Sequence, residues 1–117
     1  MADKKRLGVA FLWHMHKMAE RMVEVATNNP GAKGLLRRAL NQMARELLLA
    51  QSSDWAFIMK TGSHVPYAVE RFREHTGNFI GLYEDIKSGN LDEIYVKRIE
   101  DKYNLFPDIE YSIYSKK

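Results

Sequence analysis

Residues 45–57 read RELLLAQSSDWAF, from Arg45 to Phe57, and the parsing of this stretch decides the architecture. Leu47, Leu48 and Leu49 continue a run of good helix formers that begins near Gly34, so the first half is helix. Gln51, Ser52, Ser53 and Asp54 then place four polar residues between Ala50 and Trp55. Serine and aspartate compete for nearby backbone hydrogen bonds, so they favour helix ends over helix interiors. The stretch therefore reads as a helix that stops or kinks near Ser52, with a new turn starting at Ser53 or Asp54. Such a junction carries Asp54 and Trp55 to one place. A carboxylate beside an indole, next to hydroxyls, can bond a sugar's hydroxyls and stack on its apolar face. The same residues equally make a capped helix with a buried tryptophan.

Upstream, the helix that leads into the junction spans 34–51. Leu36, Leu40, Met43 and Leu47 repeat by four, three and four, which puts them on one face, with Arg37, Arg38 and Arg45 off that line. Asn28, Asn29, Pro30 and Gly31 are turn chemistry that ends an earlier helix. That helix carries Phe11, Met15, Met18, Met22 and Val25 in the same rhythm. Its front, VAFLWHMH, is β-branched and aromatic and reads as a buried strand as readily as a helix. His14 and His16 share a side on a strand and diverge on a helix. Without a third ligand at suitable spacing they do not make a metal site.

Downstream, Thr61, Gly62 and Ser63 are breakers, and the longest helix spans 63–88. Thr61 or Ser63 can cap it, and Pro66 is tolerated in a first turn. Val65, Val69, Phe72, Thr76, Phe79, Tyr83 and Ile86 form its stripe, with His75 beside it as a partly exposed structural residue. Gly89 is a C-terminal stop. Asn90 followed by Glu93 reads as a capping box for a fourth helix, whose inner face is Leu91, Ile94, Tyr95 and Ile99. The tail from Tyr103 to Tyr114, with Pro107 and alternating Ile109, Tyr111 and Ile113, is expected to lie extended against the helices. The fold class is all-α: a small bundle of about four helices with an extended C-terminal tail, as a single domain over 1–117.

Composition narrows the function classes. At 117 residues with 45% hydrophobic and 28% charged content, the chain matches one globular domain with a modest core. The net charge of +3 comes from short, scattered basic clusters rather than a stripe interleaved with aromatics, which argues against nucleic acid as a partner. No apolar run approaches the ~20 residues of a membrane span. The basic start before Leu7–Trp13 is cut short by His14, His16 and Lys17, unlike a signal peptide. No cysteine is present, so there is neither a disulfide framework nor thiolate chemistry, and a cytoplasmic location is expected.

The strings KMAERMVEVA, RALNQMARELLLAQSSDWAFIMKTG, YAVERFREHTGNFIGLYEDIKSGNLDE and FPDIEYSIY, between Lys17 and Tyr114, resemble the C-terminal helical domain of glycoside hydrolase family 57. This is the α-glucan branching-enzyme and α-amylase-like group. The segment ARELLLAQSSDW is the most specific, because its order of polar and apolar residues is not a generic helix pattern. The resemblance implies a domain that packs on a catalytic barrel and helps line the glucan groove. It implies Ser53, Asp54 and Trp55 as groove-facing residues. Residues 8–16 also resemble the family's first barrel strand, which ends in a His-rich motif followed by Gln-Pro. Here Lys17 and Met18 stand in those places. Either a remnant of that strand has been joined to the helical domain, or the likeness is chance within a helix. His14 and His16 join the substrate-contacting set only in the first case.

A retaining glycosidase needs two carboxylates roughly 5–5.5 Å apart, and in the family resembled both sit on the barrel. No segment here matches them, so no catalytic residue, cofactor or metal is expected, and the isolated chain is expected to be inactive. The implied partners are an α-glucan, bound weakly, and a catalytic barrel supplied in trans. A stand-alone interaction module that forms a homo-oligomer is the alternative.

Overall fold

The structure, a computed structural model, describes the backbone of residues 4–52 and 65–116 and the side chains of residues 12–52 and 70–116. Among the described residues four α-helices follow in order: α1 (Lys4–Asn28), α2 (Gly34–Gln51), α3 (Val65–Ser88) and α4 (Glu93–Lys102). A 3-10 turn, Tyr111–Tyr114, closes the chain. No strand occurs among the described residues, so the all-α expectation holds. Residues 8–16 lie within α1, so the helix reading of that segment prevails and the strand reading falls.

The expected stripes form the core. Met18, Met22 and Val25 of α1, Leu40, Met43 and Leu47 of α2, and Phe79 of α3 are all buried, while Met15, Leu36, Phe72, Tyr83 and Ile86 pack at its margins. Phe11, Val65 and Val69 lie outside the described side chains. The contacts His14–Phe72, Thr76–Met18 and Tyr83–Glu24 advance together along both helices, so α1 and α3 run parallel. The short 29–33 link turns α2 back between them, and α2 packs most extensively on α3 while also touching α1, α4 and the 3-10 turn. It is the central helix: from Ala39 to Ala50 only Asn41 and Leu48 are not fully buried.

Two details of the helix ends differ from expectation. Gly89, at φ +75°, ends α3. Its N–H donates to Ile86 O (3.3 Å), and the Asn90 N–H donates to Asp85 O (2.9 Å). These are the two crossed bonds of a left-handed helix stop, so Asn90 completes α3 instead of starting α4. Asp92 caps α4, with Oδ1 accepting from Ile94 N at 2.9 Å. The phase of α4 shifts accordingly. Val96 and Ile99 are buried while Ile94, expected inside, is 71% exposed.

The tail does lie against the helices, but it ends in a 3-10 turn and is not extended throughout. Tyr111 is its staple. The hydroxyl donates to Asn29 O and accepts from Ala32 N (2.8 Å), and the backbone N–H donates to Asn41 Oδ1 (2.9 Å). One buried tyrosine thereby holds the α1–α2 link to the chain's end. Ile113, by contrast, stays exposed.

Candidate functional site

The candidate site lies at the end of the bundle where α2 finishes and α1 and α3 begin. Ser52 terminates α2 with φ −86° and ψ 1°, and its N–H bonds Leu48 O at 2.9 Å. The Ser52 hydroxyl donates to Leu48 O (2.9 Å) and Leu49 O (3.2 Å), so the serine turns back on the helix it ends. The helix therefore stops where the polar run begins. Ser53, Asp54 and Trp55, with the expected turn and its cap, lie outside the described residues.

The two histidines separate on α1. His14 is half-buried, with its ring edge-on to Trp13 (centroids 5.0 Å) and to Phe72 of α3 (6.1 Å). His16 is exposed and pairs with Glu20 one turn on, Nε2 to Oε1 2.7 Å. Two residues of helix turn the side chain by roughly 200°, so the pair cannot address one ligand. His14 is at the same end of the bundle as Ser52; His16 opens onto a groove of ≈ 530 Å³ along the outer face of α1. No group of three or more His, Cys, Asp or Glu is assembled among the described residues.

Immediately before the junction, α2 carries a buried polar cluster that the sequence reading missed. Glu46 is 0% exposed, and His75, expected to be partly exposed, is 1% exposed. His75 Nδ1 lies 2.6 Å from Glu46 Oε2. A carboxylate only accepts here, so the imidazole N–H donates. Asn78 Nδ2 donates to the other oxygen at 3.1 Å, and Gln42 Nε2 is farther at 3.4 Å. Gln42 Nε2 also reaches Tyr103 O at 3.1 Å, and the Tyr103 ring stands edge-on to His75, centroids 4.6 Å apart. Arg45 completes the cluster. Its guanidinium donates to Gln42 Oε1 and to the carbonyls of Leu105 and Phe106. Burial pulls the Arg45 pKa below the ordinary arginine value, with Glu100 and Glu46 opposing it. The available signal was geometric: Gln42, Arg45 and Glu46 stand at i, i+3 and i+4, on a different face of the helix from the Leu36, Leu40, Met43 and Leu47 line. Once buried, such polar residues must be partnered.

Outside this cluster, ion pairs tie the later elements to α2. Arg38 bonds Glu100 (2.7 Å) and Glu93 (3.3 Å), and Arg37 bonds Glu110. At the far end of the bundle, Glu24 of α1 accepts from Lys87 and from the Tyr83 hydroxyl (2.7 Å). Those donors hold the Glu24 carboxyl below its ordinary pKa, Lys87 first and Tyr83 second, and the same bond raises the Tyr83 phenol.

The family model "1,4-alpha-glucan branching enzyme, C-terminal" matches residues 14–114. The chain is 32% identical over 97 residues to a 1,4-alpha-glucan branching enzyme of Thermococcus kodakarensis, across 80% of this chain and 14% of that protein. Its fold is similar to the crystal structure of the alpha-amylase AmyC from Thermotoga maritima. The TM-score is 0.81 at 40% identity, covering 92% of this chain and 21% of the amylase. The chain thus spans about a seventh of the first relative's length and a fifth of the second's. It belongs to the family of 1,4-alpha-glucan branching enzyme C-terminal domains.

Proposed function

We propose, with that membership as premise, that this domain seats on the catalytic body of an α-glucan-acting enzyme and completes its glucan groove with Ser53, Asp54 and Trp55. The observation that carries the reading is the bracing of α2. From Ala39 to Ala50 the helix is buried except at Asn41 and Leu48, and Gln42, Arg45 and Glu46 bond it to α3 and the tail. A braced α2 ending at Ser52 gives a groove wall a fixed support to build from. His14 stands at the same bundle end, but with residues 8–16 helical the condition that would add His14 and His16 to this set is not met. The domain contributes contact and not catalysis, because the carboxylate pair of glycoside chemistry must be held at fixed spacing across the scissile bond by the catalytic body.

With half of the groove missing, binding by the lone chain is weak, millimolar or poorer, about 4 kcal/mol or less. The test is a titration with maltooligosaccharides, read by indole fluorescence in a Trp13→Phe background and by the NMR amide signals of Asp54 and Trp55. Shifts confined to the junction and abolished by Asp54→Ala, with the fold retained, are the expected result. A junction that stays silent at tens of millimolar sugar overturns the proposal.

A further inference from the structure

The turn that joins α4 to the tail is held in a strained form by contacts within the chain. Phe106 sits at φ +55°, a left-handed conformation that a bulky side chain adopts only when its surroundings impose it. The surroundings here are Arg45, 8% exposed, whose guanidinium bonds the consecutive carbonyls of Leu105 and Phe106. The Phe106 carbonyl also accepts from Ile109 N at 3.1 Å, closing the turn. The direct acceptors of Arg45 are all neutral, and the charges of Glu100 and Glu46 offset only part of the cost of burying its guanidinium. Yet the side chains of the dipeptide so restrained face water: Leu105 is 57% and Phe106 48% exposed. A turn needing only to reverse direction would take glycine or asparagine at the left-handed position and polar neighbours.

We infer that Leu105 and Phe106 are the anchor by which this domain docks on the catalytic body of an α-glucan-acting enzyme of its family, and that Arg45 positions them. The inference rests on the proposed function and names the surface through which it operates. Adjacent apolar side chains held proud of a surface are what the centre of an interface uses. The occupant follows from size. The similar amylase carries this fold as 21% of its chain, so a remainder about four times larger belongs to the same chain there and is the occupant proposed. Other exposed apolar residues carry less. Ile94 and Ile113 stand singly, and Leu12 and Trp13 lie on a regular helix without any comparable restraint. Position also favours the turn. Arg45 precedes Ser52 by seven residues, roughly 10 Å of helix, so docking at Leu105–Phe106 sets the end of α2 against the partner.

The experiment co-produces the tagged chain with the Thermotoga maritima amylase shortened by its matching fifth, and measures capture. Phe106→Asn is the informative variant, because asparagine tolerates the left-handed backbone. The isolated variant is expected to melt at or above the unmodified temperature while capture falls tenfold or more, and Leu105→Asn behaves likewise. Arg45→Met lowers capture too, but adds nothing to Phe106→Asn, since it acts through the same turn; additive losses would remove Arg45 from the proposal. Capture that both asparagine variants leave intact overturns the anchor and spares the proposed function. Absence of capture by the unmodified chain overturns both. If the shortened amylase is insoluble alone, the same variants are read in a fusion replacing that fifth by this chain. There Phe106→Asn must lower the melting temperature of the catalytic part, and an unchanged melt rejects the anchor.

Discussion

Replacing Glu46 with alanine removes the acceptor at the centre of the buried cluster, and the cost can be worked from its partners. His75 Nδ1, 2.6 Å away in a site closed to water, loses its acceptor outright. A buried donor so stranded costs about 1–3 kcal/mol. Asn78 loses its 3.1 Å acceptor but is only partly buried, so water replaces much of it. Gln42 retains Tyr103 O at 3.1 Å and loses little. The vacated volume beside His75 adds about 1 kcal/mol of lost packing. The expected total is about 3 kcal/mol, at the low end of the 3–5 kcal/mol typical of a broken buried pair. Against a domain stability of about 5–15 kcal/mol, the variant still folds, with the melting temperature lowered by roughly 10–15 °C. Urea and thermal unfolding at pH 7, followed by circular dichroism, measure both. In a double-mutant cycle with His75→Ala, the pair should couple by at least ~1 kcal/mol, because each single change strands the other's group. A loss below ~1 kcal/mol for Glu46→Ala, or an additive cycle, would refute the view that this carboxylate organises the α2–α3 contact.

Three further outcomes follow from individual contacts. Asp92→Ala removes the α4 cap to Ile94 N and should cost ~1 kcal/mol by the same unfolding assay, whereas Asn90→Ala should cost less because Asn90 does not cap that helix. Gly77 and Gly81 both lie inside α3, but a Cβ at Gly77 meets nothing within 4 Å while one at Gly81 comes within 2.6 Å of the Tyr95 hydroxyl. Gly77→Ala should therefore gain about 0.5–1 kcal/mol from helix propensity, and Gly81→Ala should not, since Tyr95 must move. The depressed pKa of Glu24 makes its contribution present above the ordinary carboxylate value of 4.5 and lost as pH falls through the lower folded value. Glu24→Gln should accordingly flatten the acid limb of the stability profile below about pH 4.5, by no more than ~1 kcal/mol at this partly exposed site, and leave the slope above pH 6 unchanged.

The legible part of the fold was the part with one wet face and one dry one. Met18, Met22 and Val25 on α1 could be placed from spacing, as could Phe72, Thr76 and Phe79 on α3, because a half-buried helix writes its geometry into a four-three rhythm. The same logic was incomplete at α2, where it placed Arg45 off the apolar line and said nothing of its burial. A central helix is buried on nearly every side, so its polar residues mark internal partners, and those partners are contributed by α3 and the tail, 29 to 61 residues away. Residues 8–16 were ambiguous because Val9, Phe11 and Trp13 suit either a strand or a helix; only α1's continuity through Lys4–Asn28 separates the two. The shift from Asn90 to Asp92 as the cap depended on the left-handed Gly89 stop taking Asn90's N–H first. Nothing in the residue type announces a left-handed Phe106. As for the site, Ser53, Asp54 and Trp55 were singled out as a junction by chemistry and as glucan contacts by resemblance, while the cluster that braces their helix had no local signature beyond its i, i+3, i+4 spacing.

That bracing explains why a small all-α domain places Gln42, Arg45, Glu46 and His75 where apolar residues would pack as well. An interface of Met, Leu and Ala alone tolerates sliding of one helix past another, since dispersion contacts are nearly interchangeable. Hydrogen bonds are not interchangeable. His75 and Asn78 of α3 address the two oxygens of one carboxylate, and Gln42 and Arg45 fasten three carbonyls of the tail, those of Tyr103, Leu105 and Phe106. Slipping α2 by one turn would break all of these together, so a single register of α2, α3 and tail survives. A domain required only to be stable would gain nothing from that arrangement. Under the docking proposed above, it serves to hold the end of α2 and the Leu105–Phe106 turn in one fixed relation, because an error of an ångström at either one would be transmitted to the other.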